Sequence, residues 1–87
     1  MEIDPAGLAA DAIAGIRDRL DLLDPARGAL TSDVEAARHG DPEFAIDDAC
    51  EVLRYFHVPV RLDEFQALRS IATHFAMEDS LEEIIVI

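Results

Sequence analysis

Lysine and tryptophan are absent from this 87-residue chain, and cysteine occurs once. Cys50 alone can close no internal disulfide and offers no thiolate pair to a metal, a usage that fits a reducing compartment. No apolar run reaches the roughly 18–20 residues of a membrane span. Met1-Glu2-Ile3-Asp4 has neither the basic start nor the apolar stretch of a secretory signal, so the expected location is cytoplasmic. The length allows one domain with a modest core, and excludes a second domain or a Rossmann-type cofactor domain. Glycine-rich phosphate loops, His-Glu-x-x-His helices and calcium-loop spacings are missing, and a Ser-x-x-Lys pair is impossible without lysine. The reading is therefore of a protein that is not an enzyme, with no catalytic residue, no metal ligand and no cofactor.

Acid is what the chain has in quantity. Nineteen Asp and Glu face seven arginines, for a formal net charge of −12, while 51% of residues are hydrophobic. Disorder needs high charge together with few apolar residues, so this chain is expected to fold. Its field repels nucleic-acid phosphates and anionic membranes and draws in basic proteins at salt-dependent rates. The expected partner is a basic protein, with no nucleic acid and no membrane.

Apolar spacing predicts an all-α domain spanning 1–87, a small bundle of about four helices with a short extended or helical C-terminal tail. Asp4-Pro5 is a cap followed by a proline at the first helical position, and Leu8, Ala12, Ile13, Ile16, Leu20 and Leu23 continue one apolar face. Asp24-Pro25 is read as the end of that helix, with 24–31 as a connector. Ser32 and Glu35 have capping-box spacing, which predicts a short second helix over about 33–39, closed by Gly40. Asp41-Pro42 starts a third helix to about His57, with Ile46, Ala49, Cys50, Leu53 and Phe56 inward. After Val58-Pro59-Val60 a fourth helix over about 62–77 turns Phe65, Leu68, Ile71, Ala72 and Phe75 to the core. The tail ends in Ile84-Ile85-Val86-Ile87, which reads as a final helical turn, a packed extended segment or an edge for a partner.

His39, His57 and His74 fall at or near helix ends, where a cation meets the negative end of the dipole, and Cys50 lies on an apolar face as a small hydrophobe. Asp79-Ser80-Leu81 is similar to the phosphopantetheine attachment site of acyl carrier proteins, which are also small, acidic and helical. There the serine opens a helix with much sequence behind it, whereas seven residues follow Ser80. The structural alternative is that Ser80 caps the final segment, with Glu83 completing a box.

On helix three, Phe44, Asp48, Glu51 and Tyr55 recur at i, i+4, i+7 and i+11 opposite the core side, flanked by Asp47, with Arg54 the one basic residue nearby. Aromatic rings among carboxylates suit a partner-binding surface, the rings filling pockets and the charges setting approach. Phe44 and Tyr55 also suit a second covered side of a central helix.

The run Gly40-Asp41-Pro42-Glu43-Phe44-Ala45-Ile46-Asp47-Asp48-Ala49-Cys50-Glu51-Val52-Leu53, followed by Val58-Pro59-Val60, resembles the signature of MafI-type immunity proteins, small helical antitoxins of bacterial polymorphic and contact-dependent growth inhibition systems. The match covers about 40–64. It departs at Arg61, where the family caps helix four with Ser or Thr, and at Phe44, where the family has an aliphatic residue. The second departure implies that Phe44 turns inward and leaves Asp47, Asp48, Glu51 and Tyr55 as the contact stripe. The resemblance implies an immunity protein that neutralises a cognate toxin domain, a basic nuclease, by steric and electrostatic blocking. The alternatives are an acidic adaptor or nucleic-acid mimic that binds a basic protein, and a carrier protein modified on Ser80.

Overall fold

Aspartate–proline pairs start three of the four helices in the computed structural model, which describes residues 4–87. Met1, Glu2 and Ile3, read above for a targeting signal, lie outside the described residues. Helices α1 (Pro5–Arg17), α2 (Pro25–Arg38) and α3 (Pro42–Tyr55) each carry a proline in the first turn and an aspartate cap. The caps Asp4, Asp24 and Asp41 accept from the N–H groups of Gly7 (3.1 Å), Ala26 (2.9 Å) and Phe44 (3.4 Å). Gly7 leaves room for the first, because a Cβ there would stand 2.5 Å from the Asp4 carboxylate and displace it. Arg61, which precedes α4 (Leu62–His74), has no acceptor to offer. Instead Glu64 Oε1 accepts the Arg61 N–H at 2.7 Å, one half of a capping box. A 3₁₀ turn (Glu78–Leu81) closes the helical content, and the domain is all-α as expected.

Two expected boundaries are corrected. Helix α1 stops at Arg17, and Asp24-Pro25 opens α2 instead of ending α1, so residues 25–31 are helical and Ser32 lies mid-helix, exposed, where it caps nothing. A residue before proline is pushed out of the helical region, and Asp24 is extended; that same geometry is what an N-cap requires, and its carboxylate is already engaged. Arg27, in the first turn of α2, donates to the carbonyls of Arg17 (3.0 Å) and Leu20 (3.1 Å) and so satisfies the frayed end of α1. Leu23, expected to extend the apolar face, is 95% exposed in the connector.

The inward face of α2 is Ala26, Leu30, Asp33, Val34 and Ala37, packed between α1 and α3. Ile13 and Ile16 of α1, Ile46, Cys50 and Leu53 of α3, and Leu68 of α4 are fully buried against it or against one another. Helix α4 leans mainly on α1. Arg19 fixes that pairing by a two-pronged bond to Glu64 (Nε–Oε2 2.6 Å, Nη2–Oε1 2.5 Å) and reaches the Pro59 carbonyl at 3.3 Å. Burial pushes the Glu64 pKa up, but the bonds from Arg19 and the Arg61 amide outweigh it and the net shift is downward. Arg19 is raised by the bond to Glu64 in spite of its own desolvation.

Helices α2, α3 and α4 end on the same device. Gly40, His57 and Ala76 take positive φ (92°, 53° and 55°), and the next amide in each case returns to a carbonyl five residues back: Asp41 to Ala36, Val58 to Leu53 and Met77 to Ala72. The tail combines two of the three options: a 3₁₀ turn comes first, followed by an extended segment laid against the bend between α3 and α4. Val60 N–H donates to the Ile85 carbonyl and Ile87 N–H to the Val60 carbonyl, both at 2.9 Å, the single parallel bridge among the described residues. Leu81 is buried and Ile84 half-buried beneath it. A radius of gyration of 11.6 Å matches the value of about 12 Å expected for one compact unit of this length.

Candidate partner-binding site

Six residues of α3 are buried (Ala45, Ile46, Ala49, Cys50, Val52 and Leu53), a broad arc that leaves one narrow outward face. Tyr55 stands on it, 78% exposed, with its ring edge-on to Phe56 at 4.8 Å between centroids. Phe44 is 54% exposed, which corrects the expectation that it turns inward: Ala45 and Ile46 take the inward positions of the first turn. Phe56, expected in the core, is 36% exposed at its edge, because the chain leaves the helix there for the left-handed His57.

The tail folds back beside this face. Between them lies a broad, open groove of about 640 Å³, walled by Asp48, Glu51, Val52, Tyr55 and Phe56 on one side and Glu83 on the other, with Arg54 in its lining. Of the five residues expected to bind a partner, Asp48, Glu51 and Tyr55 come together here. Phe44 lies outside the groove, and Asp47, though exposed, accepts from Ser80 Oγ at 2.9 Å and serves to fasten the tail. Arg54 fastens it from the other side, its Nη1 donating to the carbonyls of Ser80 (2.5 Å) and Glu82 (3.3 Å). Ser80 is therefore a tie between tail and α3, not a cap; it sits in the 3₁₀ turn with extended chain behind it. Glu83 reaches the groove from a left-handed backbone (φ 63°), an uncommon conformation for a residue with a Cβ.

Arg54 donates to carbonyls and forms no ion pair with the surrounding acids, while its charge stays in the groove lining. The ion pairs among the described residues are Arg17–Asp18 and Arg19–Glu64, both elsewhere. Asp48, Glu51 and Glu83 are thus three carboxylates that share the groove with one guanidinium and form no ion pair. Behind Asp48 stands a residue the sequence reading did not single out. Asp33 of α2 is 1% exposed, and its Oδ2 has no hydrogen-bond partner. Burial, and then the neighbouring Asp48 carboxyl, push the Asp33 pKa up to about 8. Once α2 begins at Pro25, Asp33 falls in register with Ala26, Leu30 and Ala37, and that register was the available signal.

Cys50 lies deep in the core, where burial pushes its thiol up to about 12, so it is inert at neutral pH. The histidines stand at helix ends as expected: His39 Nδ1 meets the Glu35 carbonyl at 2.7 Å, His57 follows α3, and His74 ends α4 edge-on to Phe75. No group of three or more His, Cys, Asp or Glu is placed to hold a metal ion among the described residues, and no helix there is long and apolar enough to cross a membrane. A second, mainly apolar depression lies between α1 and α4, lined by Leu8, Ala12, Ala67 and Ile71. The chain matches no family model, no curated protein and no solved structure.

Proposed function

We propose that this domain is an inhibitory binding protein of the immunity type, which covers the basic active surface of a toxin domain with the acidic groove between α3 and the tail. The observation that carries the reading is the set of three carboxylates at Asp48, Glu51 and Glu83, held in no ion pair and outnumbering the one guanidinium of the groove, set around the exposed ring of Tyr55. Such a surface has electrostatic attraction for approach and an aromatic anchor for residence. The resemblance over residues 40–64 and the net charge of −12 support the same role. Inhibition of this kind is steric and electrostatic and involves no turnover.

The test is direct binding to the toxin domain encoded beside this gene, a basic nuclease in this reading, followed by stopped flow at two salt concentrations. Tight binding is expected, with association slowed about tenfold by the double replacement Asp48→Asn, Glu51→Gln and dissociation changed much less. Absence of binding ends the proposal. Acid spread over the whole surface, from Asp18 and Asp21 to Glu82 and Glu83, favours one second reading, a nucleic-acid mimic on a basic protein of another kind. In that case the double replacement is lost among the remaining charges and association is unchanged.

A further inference from the structure

The depression between α1 and α4 shares no residue with the groove between α3 and the tail. It continues past Leu8, Ser70 and Ile71 into a more enclosed hollow at Pro5 and His74, so one apolar trough follows the seam of the two helices. Arg19 meets Glu64 at one end of the seam, and Pro5 and His74 line the same hollow at the other. The helices therefore run antiparallel, and Arg69 of α4 stands level with Asp11 and Ala12 of α1. Asp11 lines the trough, and Arg69 lies on the outer side of α4, where it borders a shallow depression with Ser70. Both are exposed, and neither is held in an ion pair among the described residues. Gly15 follows Asp11 by four residues on the same exposed face of α1, and a Cβ there would meet nothing within 4 Å. Glycine inside a helix is less stable than alanine, so nothing within the single chain accounts for it; close approach of another backbone does.

We infer that this seam is the contact face of a symmetric dimer, covered by α1 and α4 of a second copy of the chain. The charges single out that occupant. An acid on one helix and a base at the same level on its antiparallel neighbour make a face that is its own complement. A two-fold axis along the trough lays α1 of each copy over α4 of the other and brings Asp11 to Arg69 twice. Ala12 and Gly15 then face Ala67 and Ser70 across the contact, small residues that let the helices approach, and Leu8, 49% exposed in the single chain, is covered. A basic partner of the kind proposed for the other groove would meet Arg69 here as well as Asp11. The face is small, which places the dimer in the weak class. The charge of −12 on each copy opposes it at long range, so added salt tightens this association, whereas it weakens binding at the acidic groove.

Sedimentation equilibrium of the full chain over a concentration series tests the inference. A monomer–dimer equilibrium is expected, tighter in about 0.3 M than in about 0.05 M salt. Asp11→Arg alone and Arg69→Asp alone each set like charges in contact and should raise the dissociation constant about tenfold or more. The double swap Asp11→Arg, Arg69→Asp reverses the pair, keeps the net charge and should return the constant to near its wild-type value. Gly15→Gln supplies a better helix former, so it should melt higher when monomeric and dimerise about tenfold less tightly. All four variants change exposed positions, and circular dichroism checks that they fold. A chain that stays monomeric throughout, a single charge change or Gly15→Gln that leaves association untouched, or a double swap without recovery overturns the dimer. Arg69→Asp should keep its affinity for the toxin domain, so the dimer and the proposed function fail separately.

Discussion

Asp33 carries a proton in the folded chain at neutral pH and gives it up on unfolding. An unfolded aspartate titrates near 3.9, and the folded group near about 8. Between these values the folded state binds the extra proton, so stability falls as pH rises through the window, by up to about 1.4 kcal/mol per pH unit. Below the window the penalty is absent; above it the penalty is complete. Asp33→Asn keeps the shape and cannot ionise, and it should raise unfolding stability at pH 7 by about 4 kcal/mol, with the gain fading toward pH 4. Urea denaturation of the two proteins at both pH values measures this. Asp33 escaped the sequence reading for a physical reason: beside Ser32 and Glu35 it looked like the first residue of a capped helix, where an acid meets the dipole and needs no further account.

The same ambiguity governs the elements. An Asp-Pro pair both ends one segment and starts the next, and sequence spacing alone favoured the ending at residue 24 because apolar residues ran on to Leu23. What decides the matter is tertiary: Arg27 reaches back to the Arg17 and Leu20 carbonyls, and a local pattern does not reveal such a contact. Asp4-Pro5 and Asp41-Pro42 were legible because no competing apolar run preceded them. The inward faces of α3 and α4 were legible too, except at Phe56, where a left-handed residue follows. The two boundaries make opposite forecasts for mutation. Asp24→Ala should cost about 1 kcal/mol, as loss of a working N-cap does, whereas Ser32→Ala, now mid-helix and exposed, should be neutral or slightly stabilising. Thermal unfolding of both variants separates the readings.

For the whole molecule, apolar spacing foretold the helices and composition the acid coat, and the structure adds where that coat forms no ion pairs. Arginines that look free in the sequence are committed internally: Arg19 to Glu64, Arg27 to the end of α1, Arg54 to the tail. Three of the seven arginines hold elements together, and none forms an ion pair with the acids of the groove. No sequence pattern placed Glu83 opposite Glu51, because the turn at Ser80 and the pairing of Val60 with the tail are contacts across more than twenty residues.

That tail is one wall of the groove, and it is held by a short set of bonds around Ser80, Glu82 and Val60. Lifting the tail and dissolving the site are therefore a single opening event. A molecule lodged between the walls must make that event rarer, by the factor its occupancy dictates. The amides of Val60 and Ile87, which lie on the bridge outside the groove lining, should then exchange with heavy water more slowly whenever the groove is filled, and stay unchanged by a protein that docks on any other face.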